Sequence, residues 1–251
     1  MRLDLKSYSK LNIDWSFHCK YTTFEQRLSS FSGIIFGECR ELSVYVRNSD
    51  YICKHKYIKV MKNILKRMHE LYPVSDEAVN LFVSALKRQV FAPNTIIIQA
   101  NKLDKNVYFI ERGITRSFSL FDGKEVTTWF SKEGDGTCSS FSLYRNCPGF
   151  ESVETLEEVE AYVISTTKLN ELYSKHIDLA NWMRVLQQEN FLLLQDTHIS
   201  RLNMSATERY KKFLKDFPDI SNRVSLKHIA SFLGITQQSL SRIRVSPDFL
   251  T

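Results

Sequence analysis

The spacing of apolar residues changes twice along the chain, and each change predicts a different kind of secondary structure. Between residues 61 and 72 apolar side chains recur at steps of three and four, which predicts a helix that ends before Pro73. The same spacing predicts a second helix over residues 75–87, with Ser75 as its cap. Helical spacing returns at residue 167, after a region with a different period.

That middle region has the period of two that is typical of half-buried strands. Strand-like runs lie at residues 89–91, 95–98, 107–110, 113–120, 125–130, 152–155 and 158–164. Asp122-Gly123 is a strong hairpin signal between two of them. On the 113–120 run the alternation places Arg116 on the same face as Ile114, Phe118 and Leu120. Seven or eight short antiparallel strands with tight turns predict a jelly roll or barrel.

A long helix is predicted from Asp178 for about twenty residues, because its apolar positions follow a heptad seam. The seam consists of Leu179, Met183, Leu186, Asn190, Leu193 and Thr197. It predicts that two copies pair along this helix, with Asn190 fixing their register, and docking against the chain's own body is the alternative. Trp182, Phe191 and Leu194 lie beside the seam, where they can pack against the strand-rich region.

The helical pattern is interrupted at residues 201–204, and Ser205 to Glu208 has the spacing of a capping box. We therefore expect a hinge at this break, followed by a new helix that ends near Pro218.

The stretch from Val224 to Arg244 predicts two helices joined by a tight turn. Ser225 can cap the first helix, Gly234 can leave it with a positive φ angle, and Thr236 can cap the second. The outer face of the second helix carries Thr236, Gln237, Gln238, Ser239, Ser241, Arg242 and Arg244. A helix in the major groove needs such side chains, since Gln suits adenine edges and Arg suits guanine edges. This face predicts DNA binding, and an ordinary helical hairpin with a solvated face is the alternative.

Charge and composition support this interpretation only weakly. The 251 residues carry a net charge of +6, and from Arg201 onward nine basic residues stand against four acidic ones, a balance of +5. The five cysteines are widely spaced and form no CxxC pair, so we expect reduced thiols in the cytoplasm. No run approaches 18 apolar residues, so no membrane span is expected.

Enzyme chemistry finds little support in the sequence. A cupin-like metal enzyme would need ligands in the strand-rich region, but none of the six histidines lies between Gln89 and Ser165. Neither a nucleophile paired with a base nor a phosphate-cradling glycine loop is visible. We expect no enzyme activity, no metal and no cofactor.

Several segments together resemble the CRP/FNR superfamily of bacterial regulators, dimers that couple a cyclic-nucleotide-binding-like β-roll to DNA binding. The matching segments are Val107–Gly113, Asp122–Val126, Glu133–Asp135, Glu208–Tyr210 and Ile229–Arg244. The resemblance implies an α+β chain with an N-terminal β-roll of double-stranded jelly-roll type, a long dimerisation helix and a C-terminal winged-type helix-turn-helix. It also places Gln237, Gln238 and Arg242 at base-reading positions, and Ser239 and Ser241 are expected to contact phosphates.

The resemblance fails at the cyclic nucleotide site. Family members that bind cyclic nucleotides hold the ribose with a Glu and the cyclic phosphate with an Arg, and those positions fall on Ser140 and Phe150. Loss of the Arg removes the bidentate positive charge that phosphate recognition needs, so cyclic AMP is not the expected ligand. The candidate pocket residues are Ser139, Ser140, Phe141, Arg145 and Phe150. A filled pocket without a ligand is the alternative.

The expected organisation has four parts. Residues 1–60 lack a sustained period, and we expect Met61 to be the native start and residues 1–60 to be an atypical extension that is non-native or disordered. A small sensing domain is the alternative. Residues 61–176 form the sensor, 177–203 the dimerisation helix and hinge, and 204–251 the DNA-binding domain. We expect a cytoplasmic, homodimeric transcription regulator of double-stranded DNA, with an unknown small-molecule effector and RNA polymerase as candidate further partners. The alternative is a protein-interaction module whose terminal helical hairpin is structural.

Overall fold

The computed structural model describes residues 61–246, so the predictions for residues 1–60 and 247–251 lie outside the described residues. Two helices, α1 (Lys62–Leu71) and α2 (Asp76–Ala85), come first. The strands that follow are β1 (Lys87–Phe91), β2 (Ile96–Ile98), β3 (Asn106–Arg112), β4 (Thr115–Phe121), β5 (Lys124–Ser131), β6 (Gly136–Cys138), β7 (Ser152–Thr155) and β8 (Val159–Ser165). The later helices are α3 (Ser140–Arg145, between β6 and β7), α4 (Thr166–Lys175), α5 (Ile177–Asn203), α6 (Ala206–Asp216), α7 (Pro218–Ser221), α8 (Leu226–Leu233) and α9 (Gln237–Arg244).

The strands form two four-stranded antiparallel sheets, which we call the β-roll. One sheet has the order β1-β8-β3-β6 and the other the order β2-β7-β4-β5. The predicted jelly-roll architecture is therefore confirmed. Strand β6 is not evident from the sequence because its three residues are too few to show a period. It is held by pairing with β3, where Val107 lies opposite Cys138.

The helices α1, α2, α4 and the first half of α5 cover the outer face of the sheet that contains β3. Phe109 of β3, Phe82 of α2 and Trp182 of α5 meet there with ring centroids 5.3–5.7 Å apart. All three side chains are buried, and the edge-on contacts that Phe82 makes with the other two rings add to the stabilisation from burying their apolar area. The expectation that Trp182 packs against the β-roll is confirmed.

Helix α1 begins against a buried carboxylate from the β-roll. Glu111 of β3 accepts hydrogen bonds from the backbone N–H groups of Asn63 and Ile64, at 2.9 and 3.1 Å. A negative charge at a helix N-terminus interacts favourably with the helix dipole and satisfies N–H groups that have no partner within the helix. Burial nevertheless raises the pKa of Glu111. The backbone hydrogen bonds favour the charged carboxylate, whereas burial disfavours it.

The structure corrects the orientation of the predicted heptad seam. Leu179 and Leu186 are buried in the chain's own core, at 0% and 2% exposure, so they cannot meet a second copy. Met183, Asn190, Leu193 and Thr197 are partly buried. Phe191 and Leu194, which the sequence places against the β-roll, line an open cavity beside it and are 61% and 53% exposed. The residues with heptad spacing therefore lie on the side of α5 that faces the chain's own core. This agrees with the alternative, in which the helix docks against the chain's own body.

No helix within residues 61–246 is long and apolar enough to cross a membrane. The described residues after α9 reach only Ser246 and form no strand, so the wing implied by the resemblance is not seen in this part of the chain.

Candidate nucleic-acid interface

The turn between α8 and α9 has the geometry that the sequence predicts. Gly234 has a φ of 69°, and the N–H of Ile235 donates to the carbonyl of Ala230 at 3.0 Å. The N–H of Gly234 donates to the carbonyl of Ser231 at 3.1 Å. These two bonds form a Schellman motif, which ends α8 and redirects the chain at once. Thr236 then caps α9 by accepting from the N–H of Ser239 at 3.1 Å.

Helix α9 has one apolar side and one exposed polar side. Leu240 is fully buried and Ile243 partly buried beneath it. The exposed predicted residues are Thr236, Gln237, Gln238, Ser241, Arg242 and Arg244. Ser239 differs from them, because it is partly buried and its hydroxyl lies 2.9 Å from that of Thr236 within the cap. The structure therefore gives Ser239 a capping role, while the other predicted side chains remain accessible to a partner.

Most basic residues of the C-terminal region are engaged within the protein. Lys212 pairs with Asp196 and Asp216 at 2.5 and 2.7 Å, and Arg223 pairs with Glu133 and Glu157. Arg242 and Arg244 make no ion pair or hydrogen bond through their side chains to other residues in the range 61–246. The positive charge that α9 can offer to a partner is thus concentrated on these two arginines. The balance of +5 counted from Arg201 onward therefore overstates the charge that is available for binding.

Two arginines fix the end of α8 to the hinge. The side chain of Arg201, near the end of α5, donates to the carbonyl of Phe232, and Arg209 of α6 donates to the carbonyl of Leu233 at 3.1 Å. Carbonyls at a helix C-terminus carry partial negative charge and favour cations. Burial, and then the nearby charge of Arg209, lower the pKa of Arg201. These bonds connect the end of the long helix and the start of α6 to the helix-turn-helix.

The helix-turn-helix also docks on the β-roll, through α8 and β5. The N–H of Thr127 donates to the Ser231 hydroxyl at 2.9 Å. Phe130 of β5 packs on Phe232 of α8 and Phe213 of α6, with ring centroids 5.4 and 6.4 Å apart.

The most buried charge in the described chain lies in this interface. Arg116 of β4 is 1% exposed, and its guanidinium contacts carboxylates of Glu125 at 2.5 Å and Glu154 at 2.7 Å. Its Nη1 also lies 2.7 Å from Nδ1 of His228 in α8. A buried guanidinium needs such partners because an unpaired buried charge is very unfavourable. The alternation of the sequence places Arg116 on an apolar face but gives no sign of its partners.

The structure does not bring the predicted pocket residues together around one cavity, but Ser140 lines a cavity whose other walls come from different residues. A cavity of about 300 Å³, called here the effector pocket, lies between the β-roll and α5. Its polar lining includes Ser140, Glu151, Gln187 and Asn190, and Trp129, Phe191 and Leu194 add apolar area. Of the predicted pocket residues, Ser140 alone is among those that line it.

The other predicted pocket residues have structural roles or lie elsewhere. Ser139 is buried and caps α3 by accepting from the N–H of Ser142. Phe141 and Phe150 stack edge to face at 5.1 Å, and the Arg145 guanidinium lies 5.2 Å from the ring centre of Phe141. Arg145 is therefore committed to an aromatic ring and is not among the residues lining the effector pocket. Glu151 is the one charged side chain among the described residues that line it.

Within residues 61–246, no group of three or more histidine, cysteine, aspartate or glutamate side chains is arranged to hold an ion.

Comparisons with known proteins agree with this architecture. Residues 88–176 match the family model described as cyclic nucleotide-binding domain. No curated protein matches the chain. FixK2 from Bradyrhizobium japonicum is similar in structure, with 17% identity and a TM-score of 0.56 over 63% of this chain and 82% of that protein. The c-di-GMP responsive global regulator CLP of Xanthomonas campestris has 16% identity and a TM-score of 0.56, over 68% of this chain and 90% of that one.

A third similar structure, from Eubacterium rectale, is described as a transcriptional regulator of the CRP/FNR family. It has 19% identity and a TM-score of 0.55, over 68% of this chain and 82% of that one. Of these neighbours, CLP is described as a global regulator and the Eubacterium rectale protein as a CRP/FNR transcriptional regulator. The chain therefore has the fold of the CRP/FNR regulators, with a β-roll of the cyclic nucleotide-binding type, and the predicted resemblance is confirmed at this level.

Proposed function

We propose that the chain is a sequence-specific DNA-binding transcription regulator whose β-roll senses a signal. The observation that carries the proposal is the polar side of α9. Gln237, Gln238, Arg242 and Arg244 are exposed there, and the two arginines are not committed to other described residues. Side chains of these types on a helix that follows a tight turn match what readout in the major groove requires.

The regulator acts as a homodimer in this proposal. The second half of α5 exposes Phe191, Leu192, Leu194 and Leu202, each more than half accessible. A row of exposed apolar side chains on one helix is unusual for a monomer and fits a second copy of the same helix. Two recognition helices related by a two-fold axis would contact half-sites about 34–36 Å apart.

The effector pocket takes a neutral or cationic molecule in this proposal, and not cyclic AMP. The position that would supply an arginine to the cyclic phosphate is Phe150, which is exposed and stacked on Phe141. Among the described residues that line the pocket, the one charged side chain is the carboxylate of Glu151. A phosphate would approach a negative charge without a cation to pair with it, which is unfavourable.

The signal would pass from the β-roll to the DNA through two contacts already described. One is the docking of α8 on β5, which joins the helix-turn-helix to the sheet that lines the effector pocket. The other is the pair of arginines between the hinge and α8. A molecule that moves β5 or α5 would therefore move α9 as well. RNA polymerase is a candidate further partner of such a regulator in the cytoplasm.

The proposal is tested by selecting duplexes from a random DNA pool with the purified full chain. The selected duplex and a scrambled one are then compared by fluorescence anisotropy across a salt series. We expect tight binding to the selected duplex and a steep salt dependence, because phosphate contacts release counterions. Arg242→Ala should weaken specific binding by about 1–3 kcal/mol and relax selectivity at one base pair.

Arg88→Ala is the matched control, because Arg88 lies on β1 and pairs with Glu160 on the β-roll. It should leave DNA binding unchanged. Failure to enrich any sequence, together with equal weak binding by the wild type and Arg242→Ala, would favour the rival interpretation of a protein-interaction module.

A further inference from the structure

Glu151 is a carboxylate of the effector pocket that has no partner in the described chain. It lies directly before β7 and is partly buried, and its side chain forms no ion pair or hydrogen bond with any residue in the range 61–246. By contrast, Glu125 and Glu154 in the docking interface both pair with Arg116. A charge that is partly removed from water without a counter-ion is unfavourable. The arrangement therefore indicates a cation that comes from outside this part of the chain.

The backbone on both sides of Glu151 is held in place. The carbonyl of Gly149 accepts from the N–H of Asn101 at 2.7 Å. The hydroxyl of Ser152 accepts from the N–H of Ala100 at 3.0 Å. A charged group whose backbone is already fixed loses little conformational freedom when it binds a ligand, which favours affinity.

The charge of Glu151 is not balanced by the other residues that surround it. Cys138 also lines the pocket, and burial, followed by the nearby charges of Asp104 and Glu151, raises the pKa of its thiol to about 11. This thiol is therefore neutral near pH 7. Arg145, which the sequence suggests for this site, lies against the ring of Phe141 instead. The pocket thus favours a cation and disfavours an anion.

Aromatic rings and an uncommitted amide complete the lining around this charge. Trp129 of β5 and Phe191 of α5 both line the pocket. The face of an aromatic ring attracts a cation, and tryptophan does so most strongly. The side-chain amide of Asn190 forms no hydrogen bond within residues 61–246, so its oxygen can accept one from a ligand. A carboxylate beside aromatic rings is suited to an organic cation with an apolar body.

We infer that the effector pocket binds an organic amine in its cationic form, with the charged nitrogen paired to Glu151 and the apolar body against Trp129 and Phe191. A cavity of about 150 Å³ in another protein accommodates benzene, so a pocket of about 300 Å³ suits roughly ten to twelve non-hydrogen atoms. The inference rests on the proposed function, since it names the class of effector for the same pocket and excludes the neutral molecule that the proposal leaves open.

Strand β5 links an amine in this pocket to the helix-turn-helix. Trp129 lines the pocket, whereas the next residue, Phe130, packs against Phe232 of α8. Successive side chains of a strand point to opposite faces of a sheet, so one strand takes part in both contacts. An amine that stabilises one position of Trp129 would therefore stabilise one position of β5 beneath α8.

The test titrates three molecules of similar size into the full chain by isothermal titration calorimetry near neutral pH. The first, 2-phenylethylamine, is a cation, 2-phenylethanol is neutral, and phenylacetate is an anion. We expect saturable binding of the amine and about 10–100-fold weaker binding of the alcohol, because a hydrogen bond between charged groups is lost. The anion should show no saturable binding.

Two variants assign the effect to one carboxylate. Glu151→Gln keeps the size of the side chain and removes its charge, so it should bind the amine no better than the alcohol. Circular dichroism checks that this variant is folded. Glu158→Gln is the matched control, because Glu158 is an exposed carboxylate of the β-roll that pairs with Arg112 and does not line the pocket. It should keep the preference for the amine.

Nuclear magnetic resonance of the tryptophan side chains locates the bound amine. The indole N–H signal of Trp129, assigned with Trp129→Phe, should shift saturably as the amine is added. The signal of Trp182 is the internal reference, because this side chain is 1% exposed in the core and does not line the pocket.

The inference is overturned if the amine does not bind saturably, or if the alcohol or the anion binds as tightly. It is also overturned if Glu151→Gln keeps the preference for the amine, or if the Trp129 signal does not shift. The DNA selection described above is a separate result. Amine binding without selection of DNA would reject the regulator and keep the assignment of the pocket, whereas selection of DNA without amine binding would do the reverse.

Discussion

Nη1 of Arg116 in the β-roll lies 2.7 Å from Nδ1 of His228 in the first helix of the helix-turn-helix. A guanidinium can only donate, so Nδ1 must accept, and the proton of the neutral imidazole is on Nε2. Burial lowers the pKa of His228 to about 4, and the charge of Arg116 adds to this effect. The contact between the two domains therefore requires a neutral histidine.

Stability should consequently fall as the pH is lowered through the range of this histidine. The pKa of His228 is about 4 in the folded chain and 6.5 in the unfolded chain, so the unfolded state binds more protons between these values. The stabilising contribution is complete above pH 6.5 and is lost as the pH falls towards 4. Its size should be about 1 kcal/mol, because partial exposure of the ring reduces the effect.

Urea unfolding at several pH values measures this contribution. His228→Asn places an amide oxygen near the position of Nδ1, which can accept from Arg116 and cannot be protonated in this range, so its free energy of unfolding should change less between pH 7 and pH 4.5. Parallel pH profiles of the wild type and the variant would show that His228 is not responsible.

Loss of the Arg116 side chain should destabilise the chain strongly. Arg116→Ala leaves Glu154, at 16% side-chain exposure, without its cation, and such a change typically costs about 3–5 kcal/mol. Arg112→Ala is the matched control, since Arg112 and Glu158 form an exposed pair at 2.5 Å, worth about 0–1 kcal/mol. Equal losses in chemical denaturation would mean that the buried network contributes no more than a surface pair.

Dimerisation should depend on the exposed side of α5 and not on its core-facing stripe. Phe191→Glu places a charge on the exposed apolar row and should yield a folded monomer in analytical ultracentrifugation. Val90→Glu is the control, because Val90 is 46% exposed on β1, away from α5, and the variant should remain dimeric.

Leu186→Ala separates the two sides of the helix. Leu186 is 2% exposed in the chain's own core, so this change should lower the free energy of unfolding by about 2–5 kcal/mol. If Leu186→Ala abolished dimerisation and left the stability of the monomer unchanged, the predicted heptad seam would be the dimer interface after all.

Cyclic AMP should not bind to the effector pocket. Isothermal titration calorimetry of the full chain with cyclic AMP should show no saturable heat at millimolar ligand, because Glu151 faces the pocket and no lining residue in the described chain supplies a cation. Saturable binding with a defined stoichiometry would contradict the proposed neutral or cationic effector.

Local features of the structure could be predicted because they depend on residues close together in the chain. The Schellman turn at Gly234 needs only a glycine after a helix, and the capping box of Ser205 and Glu208 needs only their spacing of three residues. The strands with a regular alternation were equally predictable. Strand β6 was not, since its pairing with β3, some 30 residues away, is what makes it a strand.

The sequence by itself determined the order of the elements, the helix-turn-helix and the polar side of α9, because periodicity and caps are encoded within a few residues. Only the tertiary structure decided which side of α5 faces the core, since the heptad spacing fits a partner helix and the chain's own body equally well. The same holds for Arg116, whose partner His228 is 112 residues away. Such a pair forms only when the β-roll and the helix-turn-helix dock, and no local sequence pattern predicts which residues will be in contact.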